Sequence, residues 1–332
     1  MATKGGASSK LKASHTVGSL FAAIGGFCRA FQDVGATVLW ANEKDKFATK
    51  TFVENFPQVR HFHKPIEQLS VGGDALQPVD ILTAGFPCQP FSCAGERRGF
   101  ADERGMLFLH IIRLIREFGA SRPKILLLEN VQNFRTHDKG KTFKIIVEHL
   151  QNLGYHIYTE VLNALDFGLP QKRERTYIVG FLDNINFDFP KPVEKRMSLS
   201  DILEPDEQVD QSLFASEFIQ KKRLEKLKVQ PFYPSIWHEN KSGNISVLPY
   251  SCALRSGASY NYLLVNGIRR LSSRELLRLQ GFPEGFKIVV SHAEIRKQTG
   301  NSVPVPVVRA IAKQMLNGLL VPINVGAGSE KI

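Results

Sequence analysis

The chain predicts an α/β fold: a mostly parallel sheet with helices on both faces, and a smaller lobe inserted late in the sequence. Three observations predict it. From residue 15 onward short apolar runs alternate with stretches of helical periodicity, and the runs end in glycine or acidic residues, the punctuation of strand–helix units. The residue types able to do chemistry fall where those runs end. Pro190, Lys191 and Pro192 then break the pattern, and residues 193–265 scatter Pro, Ser, Gly and aromatics without a period, as an inserted second lobe would.

Taken in order, residues 1–14 are mainly Lys, Ser, Gly and Ala and are expected to be a mobile tail, because they have little to bury. Strands are expected at 16–22, 37–41, 80–84, 124–128, 157–162 and 176–181. Between the third and fourth, Leu107, Ile111, Leu114, Ile115 and Phe118 recur at spacings of three and four and so share one helix face. In such sheets ligands bind outside the carboxyl ends of the strands. Every motif singled out below from this half is expected at such an end or in the loop after it. Regular structure resumes at 272–279, and 303–320 reads as a closing helix with Pro304 and Pro306 in its beginning. This divides the chain into a main domain of 15–189 plus 290–322, a lobe of 190–289, and tails at 1–14 and 323–332.

Composition narrows the class. Hydrophobic residues at 43% and charged residues at 23% exclude a collagen, a coiled coil or a disordered chain. The four cysteines, Cys28, Cys88, Cys93 and Cys252, have no C-x-x-C spacing, so a reducing compartment and no metal are expected. No apolar stretch approaches the roughly 20 residues of a membrane span, and a cytoplasmic protein without a membrane partner follows. The net charge of +11 suits a polyanionic partner; a solubilising surface would look the same.

Four places carry residue types suited to chemistry. Phe21, Ala22, Ala23, Ile24, Gly25 and Gly26 form a small-residue turn after the first strand, through which backbone can approach a nucleotide-like ligand, and Glu43 after the second strand is placed for ribose hydroxyls. The pattern is not G-x-G-x-x-G, which argues against a dinucleotide. Cys88 lies in a proline-flanked loop, Gly85-Phe86-Pro87-Cys88-Gln89-Pro90, directly after a strand, where a thiol faces a cleft more readily than inside an element. Glu129 stands at the tip of the next strand, and Arg173 and Arg175 directly precede another. Locally, each could still be structural: a buried thiol, a helix cap, surface charge. His61 and His63 have metal-like spacing but no second pair nearby, and read as an exposed strand end.

Together the residues carry a resemblance. Pro87-Cys88-Gln89, Glu129-Asn130-Val131, Gln171-Lys172-Arg173-Glu174-Arg175 and Gly300-Asn301-Ser302-Val303 resemble, in order and spacing, the motifs of the DNA cytosine-5 methyltransferases of bacterial and phage restriction-modification systems. The resemblance spans about residues 16–320 except the inserted lobe. It implies a Rossmann-like S-adenosylmethionine-dependent methyltransferase fold acting on double-stranded DNA. It implies that Cys88 adds to carbon 6 of a flipped-out cytosine and makes carbon 5 nucleophilic. Glu129 would hydrogen-bond or protonate ring nitrogen 3, Arg175 would bind the exocyclic oxygen, and Arg173 would assist. Phe21, Gly25, Gly26, Glu43, Ile66, Pro87, Leu107 and Asn301 match cofactor-contact positions. Ser19 stands where the family commonly has Asp, and Ala23 where it commonly has Gly. The first departure removes a carboxylate near the methionine ammonium group and predicts weaker cofactor binding.

By the same resemblance the lobe is a target-recognition region. Arg255, Tyr260, Tyr262, Arg269 and Arg270 are its expected DNA contacts, by phosphate clamping and base-edge reading, and Gln89 beside Cys88 is a further expected DNA contact. A single compact lobe without a long regulatory extension points to a bacterial or phage enzyme, monomeric, with a cognate restriction endonuclease as a possible companion. Other classes fit less well. A zinc deaminase needs H-x-E and P-C-x-x-C, which are missing, and a dehydrogenase leaves Cys88, Glu129 and Arg175 idle. A transfer-RNA cytosine-5 methyltransferase shares the domain, but its Cys-Phe-Thr signature is absent from the lobe. A catalytically dead DNA-binding relative would not be expected to keep Cys88, Glu129 and Arg175.

Overall fold

The computed structural model describes residues 14–87 and 106–318; Cys88, Gln89, Cys93, residues 1–13 and residues 319–332 lie outside the described residues. The main sheet is built from β1 (Thr16–Leu20), β2 (Thr37–Asn42), β3 (Arg60–Phe62), β4 (Ile81–Gly85), β5 (Ile125–Val131) and β6 (His156–Asn163), with β8 (Glu174–Phe181) following a short β7 (Gln171–Lys172) that stays outside it. The strand order is β3-β2-β1-β4-β5-β8-β6. Pairings from β3 through β5 are parallel, and β8 alone runs against its neighbours β5 and β6. The chain winds outward from β1 to β3, then returns to β4 on the other side of β1. The turn leaving β1 and the residues that follow β4, Phe86 and Pro87, therefore start from adjacent carboxyl ends at the point where the strand order reverses, the place where ligands of such sheets bind.

Alternation along the strands explains why both faces are covered. Ile125 and Leu127 point into one apolar cluster while Leu126 and Leu128 point into the other, and Tyr177 and Val179 are likewise opposed to Ile178. One face is packed by α1 (Gly26–Asp33), through Phe27, Cys28, Ala30 and Phe31. Ahead of the crossover back to β4, α2 (Lys46–Asn55) is started by Asp45, whose carboxylate accepts from Phe47 and Ala48 N–H. The other face carries α3 (Met106–Glu117) and α4 (Lys141–Asn152), which bury Ile111, Leu114, Ile115, Ile146 and Leu150. Each such side chain contributes about 1.5–3 kcal/mol on burial.

The later region holds α5 (Glu217–Glu225) and the strands β9 (Ile236–Glu239), β10 (Ile245–Leu248), β11 (Ser251–Cys252) and β12 (Leu263–Val265). β9 is the centre of a three-stranded antiparallel sheet, while β11 pairs in parallel with β7. It is followed by α6 (Ser273–Leu279), α7 (His292–Asn301) and α8 (Val305–Gly318). α8 packs beside α1. Ile236, Leu254, Leu263 and Leu276 belong to the same apolar cluster as Phe31, Leu127 and Met315, so the core runs unbroken from the sheet into the lobe. Among the described residues no helix is long and apolar enough to cross a membrane.

Two features differ from the sequence reading. β3 was not among the strand spans expected, although His61 and His63 were read as an exposed strand end: His63 is exposed just after β3, whereas the His61 ring packs on Phe52, with centroids 4.9 Å apart, and burial pushes its pKa down to about 4. The reversal of β8 was not expected either. Arg173 directly precedes β8 and Arg175 is its second residue, and both reach the edge where the parallel strands finish because β8 begins where β5 ends.

Candidate active site

The crevice is shaped first by backbone. After β1 the chain turns through Phe21, Ala23 and Gly25 at φ of 50°, 48° and 90°. Gly25 has no room for a side chain, since a Cβ would lie 2.2 Å from the Phe56 ring. A Cβ on Gly26 would lie 2.8 Å from Val303 and 2.9 Å from the Ser302 hydroxyl. The turn is braced from β2: Glu43 accepts the Ala23 N–H at 3.0 Å on one carboxylate oxygen and the Asp45 N–H at 2.8 Å on the other. Each oxygen keeps a second lone pair, so a fixed, half-exposed carboxylate stands at the carboxyl end of β2 with acceptor capacity left for hydroxyls. Phe21, Ile66 and Leu107 join one apolar cluster. A nucleoside fits this donor and acceptor set. Ser19 lies beneath the turn, fully buried, accepting from the Thr83 hydroxyl at 3.0 Å. Pro87 and Asn301 are exposed, Asn301 as the last residue of α7.

The second wall is the edge shared by β4, β5 and β8. Glu129 pairs in register with Gly85 on one side and Tyr177 on the other. Arg175 sits opposite Val131, two residues from Glu129 on the same face, and such diagonal neighbours lie within reach of long side chains. The Arg175 Nε meets Glu129 Oε1 at 2.9 Å. Glu129 is 8% exposed, and its second oxygen faces Gly85, where a Cβ would be 3.6 Å away. Asn130 donates its side-chain N–H to the Phe86 carbonyl at 3.0 Å and accepts the Val131 N–H at 2.8 Å. The strand that bears Glu129 therefore also anchors the loop that leads into Cys88. Asn130 received no role from sequence; its place within the Glu129-Asn130-Val131 trio was the available signal.

Arg173 is set differently from Arg175. It is 3% exposed and donates to three main-chain carbonyls: Leu254 at 2.9 Å, Gly300 at 3.2 Å and Ser302 at 2.7 Å. Burial, with Arg175 nearby, pushes its pKa down to about 9. Both terminal nitrogens are committed, which gives Arg173 a structural hold on backbone.

The expected DNA contacts divide. Arg255 is exposed, with its guanidinium 4.9 Å from the Tyr262 ring centre. Tyr260 is 45% exposed and lies between Arg270 at 4.2 Å and Arg296 at 5.0 Å. Arg296, on α7, also donates to the Ala258 and Ser259 carbonyls. Two of the expected contacts are buried. Tyr262 is 6% exposed, and its hydroxyl accepts the Arg255 N–H. Arg269 is 1% exposed and is consumed by Asp206 and by two bonds of 3.0 Å to the fully buried Glu275. A charge so enclosed holds its neighbours together and is not offered to a phosphate.

Comparison with known proteins agrees with this geometry. Residues 15–317 match the family model for C-5 cytosine-specific DNA methylases. The chain is 52% identical to the Type II methyltransferase M.HaeII of Haemophilus aegyptius, over 90% of this chain and 92% of that protein. It is 51% identical to M.NgoBI of Neisseria gonorrhoeae, over 89% and 90%, and 35% identical to M.HhaI of Haemophilus parahaemolyticus, over 88% and 91%. In fold it resembles the Entamoeba histolytica methyltransferase EhMeth, with a TM-score of 0.74, 18% identity, and 93% and 99% of the two chains covered. Spodoptera frugiperda DNMT2 is similar, at 0.72, 19%, 91% and 100%. The chain belongs to the C-5 cytosine-specific DNA methylases and is a DNA cytosine-5 methyltransferase that uses S-adenosylmethionine.

Proposed function

We propose that the enzyme methylates one cytosine within a specific duplex sequence, with Cys88 as nucleophile, Glu129 and Arg175 on the flipped-out base, and residues 190–289 selecting the target. The observation that carries this reading is the Glu129–Arg175 pair at 2.9 Å on the strand whose Asn130 holds the Phe86 carbonyl, two residues before Cys88. Acid, cation and thiol loop thus start from one anchored edge. The Cys88 thiolate adds to carbon 6 of the ring, and the displaced electrons move toward ring nitrogen 3 and the exocyclic oxygen. Glu129 hydrogen-bonds or protonates nitrogen 3, and Arg175 stabilises the charge on oxygen. Carbon 5 becomes nucleophilic. Loss of the carbon 5 proton and departure of the thiolate later restore the aromatic ring and free Cys88.

Bound S-adenosylmethionine supplies an electrophilic sulfonium methyl. The chain's share is to hold it: Glu43 at the ribose hydroxyls, the Gly25–Gly26 backbone and Asn301 along the amino acid portion, and Phe21, Ile66, Pro87 and Leu107 along the apolar parts. Ser19 offers no carboxylate to the ammonium group. Arg255, Tyr260 and Arg270 are the recognition-lobe groups that remain accessible for duplex DNA. As part of the same proposal, the protein acts in the cytoplasm as a monomer, with a cognate endonuclease as its companion.

Bisulfite sequencing of DNA from cells expressing the protein tests the reading. One short sequence should show a protected cytosine with the wild type and none with Cys88→Ala. Duplexes carrying 5-fluorocytosine at that position should be trapped covalently by the wild type, since fluorine cannot leave as a proton. Continued methylation by Cys88→Ala would refute the assignment.

A further inference from the structure

The inference starts from Arg173 and Gly300. Arg173 grips Leu254 at the root of the segment bearing Arg255 and Tyr260, and it also grips Gly300 and Ser302 on either side of Asn301. The same two regions touch directly. A Cβ on Gly300 would lie 2.3 Å from the Ser256 nitrogen and 2.7 Å from the Arg255 carbonyl carbon, so backbone meets backbone with no side chain between. On its other side the segment is pressed against the Gly25–Gly26 turn, where a Gly26 Cβ would lie 2.9 Å from the Ser302 hydroxyl and 3.1 Å from the Val303 carbonyl oxygen. Gln171 adds a fixed point: it accepts the Leu254 N–H at 3.1 Å and donates to the Leu279 carbonyl at 2.7 Å.

We propose that Arg173 and Gly300 form a joint that couples DNA binding at residues 254–262 to cofactor binding at the Gly25–Gly26 turn and Asn301. Arg173 is thereby a positioning residue, acting through the three carbonyls it holds. The reasoning is packing and linkage. Close contacts at two glycines, backbone on backbone at Gly300, and Ser302 and Val303 against Gly26, leave little slack, so a displacement of residues 254–256 is transmitted to Gly300 and onward to Ser302 and the turn. If both ligands favour the same seating of this segment, each tightens the other by one common factor, and coupling factors of roughly 5–150 are usual. The proposal rests on the cofactor and recognition sites assigned above.

The test is binding at equilibrium without turnover. S-adenosylhomocysteine affinity is measured by calorimetry, with and without saturating unmethylated plasmid DNA long enough to contain many short target sequences. The wild type should bind the nucleoside about 5-fold or more tightly with DNA present. Arg173→Lys keeps the charge but cannot span three carbonyls, and should bring that ratio below about 2. Gly300→Ala should do the same, although alanine is otherwise the better helix residue. Tyr155→Phe, which removes a buried hydrogen bond to the Pro123 carbonyl on the far side of the sheet, should lower stability and leave the ratio unchanged. A wild-type ratio within twofold of unity, with both ligands binding, overturns the joint, as does an unchanged ratio in both folded joint variants. If Arg173→Lys does not fold, Gly300→Ala and the wild-type ratio decide. Failure of the wild type to bind S-adenosylhomocysteine in either condition removes the cofactor assignment itself, and the joint with it.

Discussion

The edge of the main sheet and the inserted lobe both carry arginines near acids, but they use them in opposite ways. At the sheet edge strand register sets the side chains: Glu129 and Arg175 meet because β5 and β8 pair with Val131 opposite Arg175, and their remaining capacity faces the crevice. In the lobe buried arginines add to the apolar core. Arg223 donates to the Trp237 carbonyl and Glu239, and Arg269 is enclosed by Asp206, Glu275 and the Glu204 carbonyl. Short strands bury little apolar surface, so hydrogen-bonded charges help to hold this lobe together. An arginine's chemistry is thus decided by whether a sheet or a set of loops fixes its partners.

The contrast can be broken most severely at Glu129. Glu129→Gln keeps an acceptor for Arg175 but lacks the proton, and single-turnover methyl transfer should slow by about 10²–10⁴-fold, with cofactor affinity nearly unchanged. An unaltered rate would show that the carboxylate acts elsewhere. Arg269→Ala should do the reverse. It strands the fully buried Glu275, which costs about 3–5 kcal/mol in denaturant-induced unfolding, while the folded fraction keeps its target sequence. A loss below about 1 kcal/mol would mean the lobe does not depend on this cluster.

Smaller effects sharpen the division within the lobe. Arg255→Ala and Arg270→Ala should each reduce the slope of log affinity against log salt by about one, if these groups meet phosphates. A slope that stays put with a changed target sequence would make them base readers instead. His61 gives the mildest signal. Its pKa in the fold, about 4, lies below the ordinary value, so the neutral ring contributes stability that is complete above about 6.5 and lost as pH falls toward 4. His61→Phe should flatten the acid limb of a stability–pH curve, and an identical curve would place that sensitivity in other groups.

Much of the main domain was legible because its strands are apolar and punctuated. The six strands expected from sequence appear with ends shifted by a few residues, and Val305–Gly318 closes the domain within the span its prolines announced. β3 was missed because Arg60, His61 and Phe62 are too few and too polar to make a period. The direction of β8 was not legible, since pairing sense depends on which strand is met in space and not on the strand's own residues. The fate of Arg269 was equally hidden. Asp206 lies 63 positions away, and nothing in the local text separates a buried arginine from one that meets DNA. The Ser19 departure was legible as a missing carboxylate, but its burial against Thr83 required the fold.

The reversed strand also guards the folding of the site. A single-residue slip of β8 against β5 in one direction would bring Glu174 into the place of Arg175, because neighbouring residues on a strand face opposite sides of a sheet. Two carboxylates would then share a nearly closed position beside Gly85, with no cation left between them. Chains that pair in that register are penalised at once by repulsion, before any substrate is present. The same two charges that prepare the enzyme for a base thus also disfavour that misalignment of the strand that carries one of them.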